Sequence, residues 1–292
     1  MNSGESNNNQ VPLSILVPAY NAERTLARTL DSVTAQTMDD WECVIVDDGS
    51  TDETFELAKS YTERDMRFKV MRQDNAGTAS ALNAAAAKAS GHYLVQLGAD
   101  DELLLDYCEK TADLILQNPD FDIYASNAWY CDLKGNKEPF HKAVNFQKRL
   151  NLSVEDLIKE CCIYCTAAVR RSLFEEIDGF RVDTFNEDYD LWLRLMVLGA
   201  RHIYQPEYLA IYHRTPHQKT SDHLCARKSD LEILKYLVQN FELTDSQLQL
   251  ACERKQSLAR DIAIRERLYS LIGRRTTESL ISLRRKIYRS RA

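Results

Sequence analysis

The chain has 292 residues, of which 44% are hydrophobic and 28% charged, and a formal net charge of -7 at pH 7. This composition is typical of a globular protein with one large domain, or with one domain and an appendage. The negative balance disfavours general nucleic-acid binding. No apolar run approaches the about 20 residues that span a bilayer. Residues 1–11 lack the apolar centre of a signal peptide, so we expect a disordered tail and a cytoplasmic protein.

The cysteines do not indicate a metal site. Cys161, Cys162 and Cys165 form one cluster among eight cysteines, but zinc needs a fourth ligand and paired CxxC spacing. We therefore expect reduced cysteines that pack in the core.

The first 126 residues alternate between strand and helix patterns. Short apolar runs predict strands at residues 13–17, 42–46, 67–71, 92–97 and 121–125. Apolar residues at helical spacing predict helices that include residues 26–33, 55–61, 77–89 and 104–117. This alternation is typical of an α/β fold with a Rossmann-like, mostly parallel sheet flanked by helices.

Polar residues and glycines predict where these helices begin and end. Asn21 is a candidate N-cap of the first helix. Ser50 and Glu53 have the spacing of a capping box at the second. Gly91 is a candidate residue after the C-terminus of the third helix.

The pattern is less regular after residue 126. A turn is predicted at Gly135-Asn136, followed by helices at residues 154–160, 171–177 and 188–198 and short strands at 203–204 and 209–212. From about residue 224, apolar residues recur at helical spacing and predict a helical C-terminal segment.

The end of this segment is basic. Its positive residues are Arg274, Arg275, Arg284, Arg285, Lys286, Arg289 and Arg291. A basic amphipathic end suits an anionic membrane surface, and the alternative is a solvated helix or one that packs on a partner.

Polar motifs follow four of the strands, at the sheet edge where open α/β proteins bind ligands. They are Pro18-Ala19-Tyr20-Asn21, Asp47-Asp48-Gly49-Ser50, the stretch from Asn75 to Asn83, and Gly98-Ala99-Asp100-Asp101-Glu102. A fifth motif, Asn186-Glu187-Asp188-Tyr189-Asp190, opens a later helix. In this order the five motifs resemble the family 2 glycosyltransferases, which have the nucleotide-sugar-binding GT-A fold.

The resemblance covers about residues 12–221 and implies a domain organisation. Residues 12–222 would form the GT-A glycosyltransferase domain, with a nucleotide-binding half at 12–126 and an acceptor-binding half at 127–222. Residues 223–292 would form a helical C-terminal extension with a basic end.

A nucleotide-diphosphate sugar offers a flat base, a ribose, two phosphates and a sugar. Tyr20 supplies a ring and Asp48 an ionised acceptor for an N–H of the base. The resemblance assigns the donor site to Pro18, Ala19, Tyr20, Asn21, Asp47, Asp48, Gly77, Asn83 and Asp100. Without it, Tyr20 and Asp48 also fit a strand-end aromatic and a helix-start carboxylate, and Asn83 fits a structural hydrogen-bonding role.

The diphosphate needs a hard cation, Mn²⁺ or Mg²⁺, which carboxylate oxygens bind. Asp100 and Asp101 stand where the family has its Asp-x-Asp motif, but Gly98 replaces the first aspartate. Which of the two ligates the metal and which holds the ribose stays open, and a helix N-cap explains one of them. The family's later metal-binding histidine aligns with Thr215, so His217 or His213 is the substitute.

Catalysis is assigned by the same resemblance. An acceptor hydroxyl attacks the anomeric carbon more readily when a carboxylate takes its proton. This role falls on Asp188, with inversion at the anomeric carbon, and Glu187 and Asp190 are the fallback candidates. Asp190 and Trp192 are expected on the acceptor side. An acidic helix start stabilised by the helix dipole is the alternative reading of this run.

These inferences predict a metal-dependent inverting glycosyltransferase of cell-surface polysaccharide synthesis. Its donor would be a nucleotide-diphosphate sugar, with a UDP-sugar favoured, and its acceptor a glycan or lipid-linked saccharide. The alternatives are a nucleotidyltransferase, although residues 18–21 lack its Gly-rich basic loop, and a non-catalytic nucleotide-sugar or glycan-binding module with a decayed site at Gly98. The basic end predicts peripheral contact with the inner face of the membrane. The C-terminal helices either form a homodimer or cover one face of the sheet.

Overall fold

The computed structural model describes residues 12–140, 152–214 and 222–281, apart from 275, 278 and 280. The chain divides into two compact units, Met1–Gln218 and Lys219–Ala292.

The described part of the first unit contains a nine-stranded sheet and seven helices. The strands are β1 (Leu13–Ala19), β2 (Trp41–Asp47), β3 (Phe68–Arg72), β4 (Tyr93–Gln96), β5 (Glu102–Leu103), β6 (Ile123–Cys131), β7 (Lys137–Pro139), β8 (Ala168–Arg170) and β9 (His202–His213). The helices are α1 (Leu26–Thr34), α2 (Thr54–Thr62), α3 (Thr78–Lys88), α4 (Tyr107–Gln117), α5 (Val154–Lys159), α6 (Arg171–Glu176) and α7 (Glu187–Val197). The five strands predicted before residue 126 are confirmed as β1, β2, β3, β4 and β6.

The parallel part of the sheet has the order β3-β2-β1-β4. β1 and β2 are buried along nearly their whole length, as expected for parallel strands that are covered on both faces. The apolar stripe of α1, Leu26, Leu30 and Val33, belongs to the same core. The α/β fold class is therefore confirmed, and its parallel strands all direct their carboxyl ends to one edge.

The rest of the sheet is mixed. β8 pairs antiparallel with both β4 and β6, β7 pairs antiparallel with β6, and β5 pairs antiparallel with β9. β6 and β9 run parallel, with a register irregularity around Ser126, Asn127 and Ala128. The two short strands predicted at 203–204 and 209–212 are thus one long strand. The turn predicted at Gly135-Asn136 is confirmed between β6 and β7, where Gly135 has φ +81°.

The capping residues predicted for α1 and α2 are wrong. α1 begins at Leu26 after Thr25, and Asn21 instead has φ +48° and accepts a hydrogen bond from the Thr51 N–H at its Oδ1 (2.9 Å). Ser50 and Glu53 form no capping box, because Glu53 is the N-cap of α2 and makes no side-chain capping bond. The Ser50 Oγ accepts from the Asn21 N–H instead (2.9 Å). The Asn21 side chain thus binds the loop after β2 and the Ser50 side chain binds the loop after β1, so neither caps a helix.

The predicted role of Gly91 is also wrong. α3 ends at Lys88, and its C-cap Ala89 is extended. A Cβ at Gly91 would lie 2.6 Å from Oγ of Ser14 and 2.8 Å from the carbonyl oxygen of Pro12. Glycine is required here because another strand passes too closely for a side chain.

The second unit contains the predicted C-terminal helices, α8 (His223–Asn240) and α9 (Asp245–Ile272). Asp222 caps α8 by accepting from the Cys225 N–H, and a capping box of Thr244 and Gln247 starts α9. The two helices contact each other, and ion pairs such as Lys228–Glu266 (2.7 Å) join them. Among the described helices, none has both the length and the apolar character of a membrane-spanning segment. The basic residues 284–291 lie outside the described residues.

Candidate functional site

The site lies beyond the carboxyl ends of β1, β2 and β4, where an open α/β sheet offers a crevice. The first of these ends carries Pro18, Ala19 and Tyr20. Pro18 is half-buried and Ala19 buried, whereas Tyr20 exposes 53% of its surface. The N–H of Asp48, which follows β2, donates to the Ala19 carbonyl (2.8 Å), so these two strand ends are fixed side by side.

Asp48 binds the loop between β3 and α3. Its Oδ1 accepts from the Gln73 Nε2 (2.8 Å) and the Ala76 N–H (2.9 Å), and its Oδ2 accepts from the Gly77 N–H (2.8 Å). A carboxylate has about four acceptor positions, so about one remains for a ligand. The alternative role of Asp48 as a carboxylate that stabilises a helix start is therefore wrong, because its partners lie in the loop between β3 and α3.

Asp47 fixes the turn after β2. It is fully buried, its Oδ2 lies 3.0 Å from Nε of Arg72, and its Oδ1 accepts from the Ser50 N–H (3.3 Å). Arg72 also donates from Nη2 to the Ser50 carbonyl (2.5 Å). Asp47 thus stabilises the turn, and neither of its oxygens is exposed to a nucleotide sugar.

Gly77 and Asn83 occupy different positions relative to the crevice. Gly77 has φ +90°, and no described atom lies within 4 Å of the position of a Cβ, which leaves its backbone open to a ligand. The Asn83 amide instead donates to the Phe180 carbonyl (2.8 Å) and accepts from the Phe180 N–H (2.9 Å). These two hydrogen bonds give Asn83 the structural role that the sequence left open, in place of a contact with the nucleotide sugar.

The segment after β4 forms a turn that we call the acidic turn, residues Gly98–Asp101. The Asp101 N–H donates to the Gly98 carbonyl (3.0 Å) and closes it. From α1, Arg28 donates to the Asp100 carbonyl (2.7 Å) and Thr29 donates to the Asp101 carbonyl (2.8 Å). The backbone of the turn is therefore fixed by α1, whose apolar residues pack in the core.

The two carboxylates of the acidic turn converge on Gly98. A Cβ at Gly98 would lie 3.0 Å from Oδ1 of Asp100 and 3.1 Å from Oδ2 of Asp101. Asp101 is buried, and it accepts from the His213 N–H at Oδ1 (3.0 Å) and from the Tyr164 hydroxyl at Oδ2 (3.4 Å). Burial, followed by the negative charge of Asp100, raises the pKa of Asp101 well above its ordinary value.

His213 lies beside this turn. Its Nε2 is 2.5 Å from Oε1 of Glu102, which also pairs with Nε of Arg28 (3.2 Å). The predicted ligand His217 and the aligned Thr215 lie outside the described residues.

The predicted catalytic residues open α7. Glu187 is buried, and its Oε1 accepts from Nε2 of Gln96 at the end of β4 (3.3 Å). Asp188 is half-buried, and its Oδ1 accepts from the Tyr189 N–H (2.8 Å). Burial, followed by the charges of Asp101 and Asp188, raises the pKa of the Cys165 thiol well above its ordinary value. Gln96 precedes the acidic turn by two residues, so its hydrogen bond to Glu187 joins the start of α7 to the strand that leads into the turn.

The two acceptor-side predictions are wrong. Asp190 is buried, with Oδ1 paired to Arg181 (3.0 Å) and Oδ2 to Arg194 (2.7 Å). Trp192 is 2% exposed and packs in the core. Both side chains lie on the buried face of α7.

Several residues of this region were missed in the sequence. Glu102 belongs to the motif after β4 and Cys165 to the cysteine cluster, but no local signal marks their contacts with the site, and none marks Tyr164. Arg194 follows Asp190 by four residues, which is the spacing of a helical ion pair. That signal was available.

The family model described as Glycosyl transferase family 2 matches residues 14–178, more than half of the chain. The chain belongs to glycosyltransferase family 2. The members of this family are enzymes that transfer sugars, and the predicted resemblance to this family is thereby confirmed.

Curated relatives of this glycosyltransferase differ in length. TuaG of Bacillus subtilis strain 168, a teichuronic acid biosynthesis glycosyltransferase, is 30% identical over 202 residues, which cover 68% of this chain and 78% of TuaG. Hyaluronan synthase of Pasteurella multocida is 32% identical over 214 residues, 72% of this chain and 21% of the synthase. In several relatives the match spans less than a third of their length.

Solved structures support the GT-A fold of the glycosyltransferase. S. aureus TarS 1–349, solved in complex with UDP-GlcNAc, has a TM-score of 0.71 at 19% identity and covers 89% of this chain and 76% of that structure. The mannosyltransferase PcManGT from Pyrobaculum calidifontis, solved with GDP-Man and Mn²⁺, has a TM-score of 0.65 at 17% identity, covering 94% and 79%. At these identities the likeness concerns the fold.

The acidic turn fits a divalent cation. Among the described residues, no group of three or more His, Cys, Asp or Glu side chains is arranged to hold a metal ion. Mg²⁺ is commonly bound by one or two carboxylates together with substrate phosphates. The convergence of Asp100 and Asp101 beside Gly98 provides two such carboxylates and the space that a side chain at position 98 would fill.

Proposed function

We propose that this glycosyltransferase transfers a sugar, with inversion, from a nucleotide-diphosphate sugar to a hydroxyl group of a glycan or lipid-linked saccharide. The observation that carries the proposal is the hydrogen bond from Nε2 of Gln96 to Oε1 of Glu187 (3.3 Å), which joins the start of α7 to the end of β4. The acidic turn follows β4 directly, and the half-buried Asp188 follows Glu187, so the proposal assigns both carboxylate groups to one site.

In this proposal the base of the donor lies between Tyr20 and Asp48. Tyr20 is exposed at the end of β1 and offers a ring face for stacking. Asp48 is held by three hydrogen bonds, so its remaining acceptor position is fixed in direction. The open backbone at Gly77 lies next to it and allows close approach of the donor.

Asp100 and Asp101 would hold Mn²⁺ or Mg²⁺, which supplies positive charge against the diphosphate when it is bound. Both oxygens of Asp101 already accept protein hydrogen bonds, which fix the direction of this carboxylate. His217 stays a candidate third ligand. His213 is a weaker one, because its ring faces Glu102.

Asp188 would act as the general base. The acceptor oxygen attacks the anomeric carbon while its proton passes to the Asp188 carboxylate. The bond from the anomeric carbon to the diphosphate breaks, and the electron pair leaves with the nucleoside diphosphate. Attack and departure on opposite faces of the sugar invert the anomeric configuration.

The bound ligands and the names of the related proteins suggest the donor and the setting. TarS binds UDP-GlcNAc and PcManGT binds GDP-Man with Mn²⁺, and the names of TuaG and hyaluronan synthase refer to polysaccharides. We therefore propose a UDP-sugar donor and a role in cell-surface polysaccharide synthesis on the cytoplasmic side of the membrane. Peripheral membrane contact through the basic end and homodimer formation belong to the same proposal.

The test is a screen for release of nucleoside diphosphate from UDP- and GDP-sugars, including UDP-GlcNAc and GDP-mannose, with and without Mn²⁺. Asp188→Asn should retain UDP or GDP binding in calorimetry but lose at least about 100-fold in turnover, which is the scale of general base catalysis. Asp120→Asn, at an exposed aspartate on the same domain, is the matched control.

Full turnover by Asp188→Asn would reject the base assignment. Binding of UDP that depends on Mn²⁺, without turnover of any donor, would instead support a non-catalytic nucleotide-sugar-binding module.

A further inference from the structure

Arg194 is a buried arginine with three fixed partners. Its Nε pairs with Oδ2 of Asp190 (2.7 Å), its Nη1 donates to the Ile177 carbonyl (3.0 Å), and its Nη2 donates to the Gly179 carbonyl (2.6 Å). It is 4% exposed. A guanidinium can reach three acceptors in different directions at once, which the single ammonium group of lysine cannot do.

Asp190 is the anionic centre of this arrangement. It is 1% exposed, and each of its oxygens is paired with an arginine, Oδ1 with Arg181 and Oδ2 with Arg194. Burial of a charge is costly unless it is paired in this way. Asp190 lies two residues after Asp188, so the ion pair is anchored in the same first turn of α7 as Asp188.

The carbonyls that Arg194 binds belong to an unusual turn. Asp178 and Gly179 have successive positive φ angles of 58° and 67°, a conformation that needs support from surrounding contacts. The turn lies directly on α3, because a Cβ at Gly179 would be 2.6 Å from Oδ1 of Asn83. The next residue, Phe180, exchanges two hydrogen bonds with the Asn83 amide.

The helix α3 begins at the donor side of the site. Its N-cap Gly77 donates its N–H to Asp48 (2.8 Å). A continuous chain of contacts therefore runs from Asp48 through α3 and Asn83 to the turn at Gly179, and from there through Arg194 to Asp190 and the start of α7.

We propose that Arg194 and Asp190 are positioning residues that hold Asp188 in a fixed place relative to the donor-binding helix α3. This inference rests on the proposed function, in which Asp188 is the general base. A displacement of about 1 Å at a reacting group reduces turnover by up to about 100-fold, whereas donor affinity depends on other residues.

The test compares Arg194→Lys, Asp188→Asn and the double variant, using release of nucleoside diphosphate from the fastest donor among UDP- and GDP-sugars. Arg194→Lys should lower kcat about tenfold and change KM for the donor by less than about twofold, since the loss concerns the reacting step. In the Asp188→Asn background, the same substitution should lower the residual turnover by less than about twofold, because its effect passes through Asp188.

Arg171→Lys is the matched control. Arg171 and Glu175 form an ion pair with the same spacing of four residues and the same 2.7 Å distance, but both side chains are partly exposed. This variant should leave kcat unchanged. Melting temperatures of all variants establish that each one is folded.

A kcat of Arg194→Lys within about twofold of the wild type would overturn the inference, and so would an undiminished loss in the double variant. Full turnover by Asp188→Asn would reject the base assignment itself, whatever Arg194→Lys does. Hydrogen exchange of residues 177–192 provides a measurement without a donor. Arg194→Lys should accelerate exchange there and Arg171→Lys should not, and equal exchange in both variants would also overturn the inference.

Discussion

Asp101 at the end of the acidic turn accepts a hydrogen bond of 3.0 Å from the backbone N–H of His213, the last residue of β9. The two residues are 112 positions apart in the chain. The acidic turn is therefore fixed on one side by α1, through Arg28 and Thr29, and on the other by the end of β9. A rigid carboxylate pair costs little reorganisation when a cation and a diphosphate bind.

We predict that Asp100→Asn and Asp101→Asn weaken metal use by the glycosyltransferase. Each substitution removes one negative charge from the space beside Gly98, where the two carboxylates converge. The Mn²⁺ concentration that supports half-maximal release of nucleoside diphosphate should rise at least about tenfold, which corresponds to about 1.4 kcal/mol. Asp113→Asn, on the exposed face of α4, is the control. An unchanged Mn²⁺ requirement in both variants would reject the acidic turn as the metal site.

Gly98→Ala should change the Mn²⁺ requirement, whereas Gly91→Ala should lower the stability of the fold. At Gly98 the added Cβ meets the carboxylate oxygens of Asp100 and Asp101 at 3.0 and 3.1 Å, so these side chains must move apart. The half-saturating Mn²⁺ concentration should rise severalfold with little change in melting temperature. At Gly91 the Cβ meets the Pro12 carbonyl at 2.8 Å, and overpacking of this kind costs about 1–3 kcal/mol of stability.

These two variants are measured by thermal unfolding and by Mn²⁺ titration of turnover. Loss of stability in Gly98→Ala, with an unchanged Mn²⁺ requirement, would mean that Gly98 serves packing alone.

The sequence predicted those parts of the fold that depend on local apolar runs. β1, β2 and β4 are continuous buried strands, and the polar motifs that follow their carboxyl ends indicated the position of the site. The predicted helix caps at Asn21 and Ser50 were wrong because each side chain found a partner about 30 positions away, in the loop of the other. Local spacing cannot reveal such a partner.

The inner face of α7 could have been predicted. Asp190 and Arg194 are four residues apart and lie on the same helix face as Leu191 and Leu195, which are buried. Asp188 precedes Asp190 by two residues, about half a helical turn, and so faces another direction. By contrast, the approach of Tyr164 and Cys165 to the carboxylates depends on tertiary contacts, and the sequence carries no signal for it.

Glu42 should make stability depend on pH. Burial by itself would raise the pKa of Glu42, but hydrogen bonds from Lys69, Ser14 and Ser90 outweigh it and lower the pKa from 4.5 to about 2. A lowered pKa in the folded state means that the ionised form stabilises the fold. This stabilisation is complete above about pH 4.5 and is lost as the pH falls toward about 2.

Comparison with Glu42→Gln isolates this effect. The wild type should have a higher free energy of unfolding than the variant at pH 7, and the difference should narrow at pH 3, as measured by urea unfolding. Glu176→Gln, at an exposed position of α6, should show a small difference that does not narrow in this way. A difference for Glu42→Gln that stays constant from pH 7 to pH 3 would contradict the assignment.

Gly179→Ala should destabilise the protein much more than Gly135→Ala. Both glycines have positive φ angles, 67° and 81°, so alanine costs about 1–2 kcal/mol at either position through the backbone alone. At Gly135 no described atom lies within 4 Å of the added Cβ, whereas at Gly179 it meets Asn83 at 2.6 Å and Phe174 at 2.9 Å. Overpacking adds about 1–3 kcal/mol, so the loss at Gly179 should be about 2–5 kcal/mol in urea unfolding. Equal losses in the two variants would show that the turn at Gly179 can move away from α3, which would also weaken the positioning role of Arg194.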